Sequence, residues 1–194
     1  MNRRFSPKYR RTVIYLQPGE FVGCRNGPIL TTVLGSCVAT CLIDEQNGIS
    51  GMNHFMLPRI MSADEIFTSE IGRYGMFAME LLLGEMVKLG ADRQALKAKV
   101  FGGAAMFPQA APSEIARSNI DFVRRFLTLE QIPISAEHLG GNQGRKIIFF
   151  TDRGRVFMRL LNPGHSAAIA RRESRLRSAD REMASPPQLE LWAD

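Results

Sequence analysis

The chain has 194 residues, with 25 Lys and Arg against 19 Asp and Glu, a net charge of +6 at neutral pH. That length suits one domain with a substantial core, and 45% hydrophobic with 23% charged residues excludes a wholly disordered chain. No run approaches the roughly 18 apolar residues of a membrane-spanning helix. The apolar stretch Val13–Leu16 behind the basic start ends at Gln17-Pro18-Gly19, too early for an export signal.

These features lead us to expect a cytoplasmic protein. Cys24, Cys37 and Cys41 are odd in number and form no CxxC pair, which fits reduced thiols rather than a disulfide framework. His54, His138 and His165 stand far apart and give no zinc spacing, so neither metal nor cofactor is expected. The charge is unevenly spread: residues 1–11 carry +5, residues 166–194 are neutral and the body between is at +1. A basic face with interleaved aromatics, the mark of a nucleic-acid domain, is missing.

In chain order, residues 1–11 read as a flexible basic arm. Strand-like segments follow at Thr12–Leu16, Glu20–Cys24 and Pro28–Val33, punctuated by Gly and Pro. Cys37–Ile43 and Ile49–Leu57 flank the turn-rich Asp44–Gly48. Tyr74 to Leu89 has helical spacing, with Tyr74, Phe77, Ala78, Leu81, Leu82, Met86 and Leu89 on one face and Gly90 as stop. Its Met and Leu stripe reads as core packing.

A short strand Ala98–Phe101 leads into Gly102-Gly103. Ser118, with Asp121 three residues on, reads as the N-cap of a helix through Ile120, Val123 and Leu127. A strand near Ile132–Leu139, the loop Gly140–Lys146, and a hairpin of Lys146–Thr151 and Arg155–Leu161 complete the regular pattern. Asn162-Pro163-Gly164 ends it, and residues 164–194 read as a helical or disordered tail. Strands interspersed with two amphipathic helices, without βαβ alternation, define a mixed α+β domain over residues 12–163.

The stretch from Thr31 to Pro58 carries the chemistry. If Cys37–Ile43 and Ile49–Phe55 form an antiparallel hairpin closed at Asp44–Asn47, Ile43 faces Gly48 and Cys37 faces His54 on one side of the sheet. A thiol with a pKa near 8.5 needs a neighbouring base to become a nucleophile, and imidazole can take and return that proton. Gly35 permits a sharp turn, and N–H groups near Ser36 and Cys37 could hold an oxyanion. Read from the pattern alone, a core role for Cys37 outweighs a catalytic one, since cysteine is among the most buried residue types. Cys24 and Cys41 lack such a partner and read as core residues.

Several motifs, in order, resemble one family: Thr31-x-x-Leu34-Gly35-Ser36-Cys37-Val38, Gly51-x-Asn53-His54-Phe55-Met56-Leu57-Pro58, Ala98 to Phe107, Asn119, and Gly140 to Lys146. The sequence resembles the chemoreceptor glutamine deamidases, the CheD proteins of bacterial chemotaxis, across about residues 12–161. That resemblance implies a cysteine-hydrolase-like layered α/β/β/α sandwich of mixed sheets, related to deamidating toxins. It implies Cys37 as nucleophile, His54 as base and Thr31 as the residue that orients the imidazole. Thr31 fits the family spacing, and Thr32 stands beside it. The implied reaction converts glutamine side chains on methyl-accepting chemotaxis receptors to glutamate and ammonia through a thioester. A CheC-type phosphatase is the implied second partner.

A non-catalytic adaptor binding receptors or that phosphatase is the alternative reading. A third reading, an RNA- or membrane-surface-binding protein, rests on the basic arm alone. The loop Gly140–Lys146 lacks phosphate-loop spacing and reads as a wall near the thiol or a close chain crossing.

Overall fold

Among residues 1–25, 27–57, 70–106, 112–162, 164–169, 171–173 and 175, which the computed structural model describes, ten strands form two five-stranded mixed sheets. The first sheet has the order β1 (Asn2–Ser6), β2 (Arg11–Tyr15), β4 (Ile29–Leu34), β9 (Arg145–Phe150), β10 (Arg155–Leu160). The second runs β3 (Phe21–Arg25), β6 (Ile49–Asn53), β5 (Val38–Asp44), β7 (Lys97–Gly102), β8 (Ile134–Leu139). Each contains one parallel pair, β2 with β4 and β7 with β8.

The two sheets enclose one apolar layer, with Leu30, Leu34, Ile147 and Phe149 from the first and Cys37, Ala39, Cys41, Ile43 and Met52 from the second. On its other face the second sheet packs two long helices, α1 (Glu70–Lys88) and α2 (Pro112–Leu129), over Val38, Leu42, Ile49 and Val100. With both faces covered, β5 is buried at every residue and is apolar apart from Thr40 and Asp44, whereas β9 alternates buried and half-buried. Both helices join strands of the second sheet, so the connections return to that sheet's face. The expected two-sheet α+β arrangement is present, but its long helices are not split between the two sheets.

Three sequence expectations change. Residues 2–6 of the basic arm form an edge strand, antiparallel to β2 with Phe5 opposite Thr12. The ladder and an ion pair from the Met1 amine to Glu20 hold it, and its exposed arginines suit a sheet edge that must not pair further. The second helix begins at Pro112 rather than after Ser118. Proline is well placed at a first helical position, where its missing N–H is not needed, and Ser118 is buried in mid-helix. On α1 the core face is Met79, Leu82, Leu83 and Met86, while Phe77 and Leu81 of the expected stripe are exposed.

The C-terminal residues 164–169, 171–173 and 175 are helical, and Ser166 and Glu173 among them are buried. Pro58, Phe107 and the tail beyond residue 175 lie outside the described residues. So do the side chain of Tyr74 and the rest of the 58–69 and 107–111 stretches.

Candidate active site

Between β4 and β5 the chain crosses from the first sheet to the second, and Gly35, Ser36 and Cys37 are the crossing. All three of their carbonyls are bound. Ala104 N donates to Gly35 O at 2.7 Å and Gly103 N to Cys37 O at 2.8 Å. Asn119 Nδ2 donates to Ser36 O at 2.8 Å, while its Oδ1 accepts from Leu57 N at 2.8 Å. Pinning Gly35 O fixes the peptide plane that also carries Ser36 N–H, which therefore points the opposite way, alongside Gly35 N–H.

They point at a carboxylate. Gly35 N and Ser36 N donate to the two oxygens of Glu173 at 3.0 and 2.9 Å, and Ser36 Oγ donates to it at 2.6 Å. Gly35 is a glycine for lack of room: a Cβ there would stand 2.8 Å from Glu173 Oε2 and 2.1 Å from Met106 Cε. Gly102 answers two demands, a φ of +126° and an approach to Cys37 O that leaves a Cβ only 2.1 Å away. The loop Gly140–Lys146 supports this wall from behind, through Gly140 N to Gly102 O and Ala105 N to Gly141 O.

The hairpin that carries Cys37 and His54 forms, with a register two residues from the expected one. Asp44 pairs with Ile49 and Cys41 with Met52, and an isolated bridge joins Val38 to Phe55. Gly48, at φ +63°, belongs to the turn, and the Asp44 carboxylate accepts from Gln46 N and Asn47 N to begin it. Extending the bridge by one residue sets Cys37 opposite Met56 rather than His54. Because the shift is even, side-chain parity is kept: Cys37 and Met56 both enter the layer between the sheets. Near its end the ladder opens, as Thr40 N bonds to the Asn53 side chain and His54 N to Glu20 O.

His54 is buried, and its Nδ1 lies 2.8 Å from Thr32 Oγ1. The same hydroxyl is 2.8 Å from Leu16 O, which can only accept. Its one proton therefore goes to Leu16, and it accepts from His54 Nδ1–H. That tautomer leaves a lone pair on Nε2, which is buried without a hydrogen-bond partner. Burial pushes the imidazole pKa down to about 4, against the opposing pull of Glu173. His54 is thus a neutral acceptor at physiological pH.

The structure sets Thr32, rather than the expected Thr31, beside the imidazole. Thr31 and Thr32 are neighbours on β4 and point to opposite faces. Thr31 Oγ1 donates to Ile147 O at 2.6 Å, so the imidazole's partner is Thr32. The spacing to Cys37 could not separate the two; strand parity, counted from the buried Leu30 and Leu34, would have.

Cys37 is completely inaccessible at 0% exposure. It is in no disulfide, and neither are Cys24 and Cys41. Burial pushes the Cys41 thiol far up, and Cys24, which donates to Ser50 O at 3.4 Å, is also raised by burial. Asn119 and Glu173 are the site residues whose roles sequence reasoning missed. Asn119 appeared only as part of a motif, and Glu173 sits in a segment read as tail. Among the described residues no three His, Cys, Asp or Glu side chains converge as metal ligands.

Comparison with known proteins agrees with these motifs. Residues 56–160 match the family model described as CheD chemotactic sensory transduction. A protein of Laribacter hongkongensis named probable chemoreceptor glutamine deamidase CheD is 40% identical over 188 residues, covering 97% of this chain and 91% of its own. One of that name from Burkholderia orbicola is 44% identical over 198 residues, 99% of this chain and 78% of its own. A third, CheD 1 of Shewanella oneidensis, is 39% identical over 193 residues, 100% of this chain and 94% of its own. With this coverage and these motifs, the chain belongs to the CheD family.

Proposed function

We propose that this protein is a chemoreceptor glutamine deamidase, hydrolysing receptor glutamine side chains to glutamate and ammonia with Cys37 as nucleophile. The observation that carries the reading is the His54 imidazole, fixed by Thr32 through Nδ1 and holding an unpartnered Nε2 lone pair in the layer that Cys37 enters. A buried, oriented, neutral base on the same face as a thiol is an arrangement for proton transfer rather than for packing.

The steps follow from these groups. His54 Nε2 takes the Cys37 proton, and the thiolate attacks the carboxamide carbon. Charge developing on the amide oxygen meets the backbone N–H donors of the Gly35–Cys37 crossing, whose pinned carbonyls spare them reorganisation. The imidazolium returns its proton to the departing nitrogen as the C–N bond breaks, which leaves a thioester and ammonia. His54 then deprotonates water, the water oxygen attacks the thioester, and glutamate leaves as the thiol is restored. Thr32 holds the tautomer throughout. A reducing cytoplasm keeps the thiol competent, and the family resemblance adds a CheC-type phosphatase as a binding partner.

The test is mass spectrometry of receptor fragments after incubation with wild-type protein, Cys37→Ala and His54→Gln. We expect glutamine-to-glutamate conversion with wild type only, both variants remaining folded. Undiminished conversion by Cys37→Ala would overturn the mechanism, and fragment binding without conversion by wild type would mark an adaptor.

A further inference from the structure

Two observations stand outside the reaction just described. The proposed nucleophile is fully buried, and the donor pair beside it is already occupied by Glu173, 137 residues further along the chain from Ser36. The segment that delivers this carboxylate is held at several points. Ser166 Oγ accepts from Gly144 N at 3.0 Å, Ile169 packs on Gly144, and Arg172 donates to Gln17 Oε1. Ile169, Arg172 and Glu173 also form part of the wall of a cavity of about 220 Å³ that contains Thr32 and His54. Glu173 itself is 4% exposed and close enough to His54 to pull its pKa upward.

A glutamate carboxylate is the chemical end-point of glutamine deamidation. Here one sits with both oxygens on the N–H groups that immediately precede the thiol. We propose that Glu173 is a built-in product mimic: its carboxylate fills the seat that a substrate glutamine's carboxamide must enter, and the C-terminal segment must lift away before Cys37 can react. The inference rests on the deamidase reading for the identity of the seat's ligand, an amide or carboxylate at the end of a glutamine-length side chain. The seat selects that chemistry because its donors, two N–H groups and a hydroxyl, converge on a planar acceptor, and Gly35, with no side chain, lets that acceptor come up against the backbone.

In such a closed state only the minor, open population binds substrate, and apparent affinity falls by that fraction. The full-length variants Glu173→Ala and Glu173→Gln test this. In the second, one acceptor becomes an NH₂ group facing a backbone N–H, so the seat is weakened with little change of volume. For a resting open fraction near one in ten, both variants lower KM for receptor-fragment deamidation about tenfold with kcat unchanged. Both also speed alkylation of Cys37 by iodoacetamide by a similar factor, read on the Cys37 peptide so that Cys24 and Cys41 do not contribute.

Unchanged KM and unchanged alkylation in folded variants would overturn the proposal, as would a raised KM with a lowered melting temperature, which marks Glu173 as a strut. If Glu173→Ala fails to fold, Glu173→Gln decides alone. Faster alkylation in protein that deamidates nothing would sustain the occluded seat and sink the deamidase reading. Active wild type with no change in alkylation would do the reverse.

Discussion

Thr32 Oγ1 accepts from His54 Nδ1 at 2.8 Å because its own proton is committed to Leu16 O. One hydroxyl thereby ties β4 to the chain leaving β2 and selects the imidazole tautomer whose free lone pair is on Nε2. Thr32→Val keeps the shape and removes both bonds. We expect kcat to fall roughly 10- to 100-fold, the scale for losing a group that orients a functional histidine, with KM little changed. Thr31→Val serves as the control. It removes only the bond to Ile147 O and should cost about 1 kcal/mol of stability with kcat intact. Nitrogen NMR of His54 checks the cause, since Thr32→Val should mix the tautomers and Thr31→Val should not.

Asn119 presents the next prediction. Its amide reads both ends of the site, giving to Ser36 O and taking from Leu57 N. Asn119→Leu leaves a buried carbonyl and a buried N–H unpaired, a loss of about 2–6 kcal/mol at 1–3 kcal/mol for each. Asn119→Asp preserves the bond from Leu57 but sets an oxygen against Ser36 O, so the crossing loop loses one of its three carbonyl anchors. Denaturant unfolding checks the first. For the second, deamidation of receptor fragments should fall more steeply than stability does.

The buried imidazole makes stability depend on pH. In the unfolded chain His54 titrates near 6.5, and in the fold burial holds it down to about 4. Between those values the unfolded state binds the additional proton, so acidification favours unfolding and stability rises with pH across that window. The full contribution is about 3 kcal/mol, at 1.36 kcal/mol per pKa unit, present above pH 6.5 and lost as pH falls to about 4. Urea unfolding of wild type and His54→Gln at pH 7 and pH 5 isolates it. The wild-type loss on acidification should exceed that of the variant, and parallel losses would assign the acid sensitivity to other groups.

Much of the site was legible because it is built from local chain geometry. The turn chemistry of Asp44 and Gly48 determines a hairpin, and the hairpin brings Cys37 and His54 to one face even though the counted register was two residues out. Parity survives such a slip, whereas opposite-residue pairing does not. Spacing to Cys37 does not separate Thr31 from Thr32, and strand parity counted from Leu30 and Leu34 does, but the hydroxyl's other partner, Leu16 O, depends on a parallel pairing of β2 with β4 that no local pattern encodes. Glu173 was invisible for the same reason on a larger scale: nothing around Arg171-Arg172-Glu173 in the sequence marks it as the ligand of Gly35 and Ser36, more than 130 residues away. The basic start misled because an edge strand held by backbone pairing needs no apolar face of its own.

The glycines near the thiol can be told apart by experiment. Gly102 and Gly140 both have positive φ, +126° and +77°, but their surroundings differ. A Cβ on Gly102 meets Cys37 O at 2.1 Å and Val38 Cα at 2.9 Å, and neither backbone atom can swing aside. A Cβ on Gly140 meets nothing within 4 Å. Gly140→Ala therefore carries only the left-handed backbone penalty, about 1–2 kcal/mol, and deamidation should persist. Gly102→Ala adds a clash against the peptide unit of Cys37 itself. That peptide must move to relieve the contact, and with it the N–H and carbonyl directions that Gly103 and Asn119 hold in place. We expect a stability loss on the order of 3 kcal/mol or more and loss of activity even at temperatures where the variant stays folded. Thermal melts paired with fragment deamidation well below the melting point distinguish the two positions. Equal behaviour of the two alanines would mean that the Gly102–Cys37 contact does not govern the geometry of the thiol.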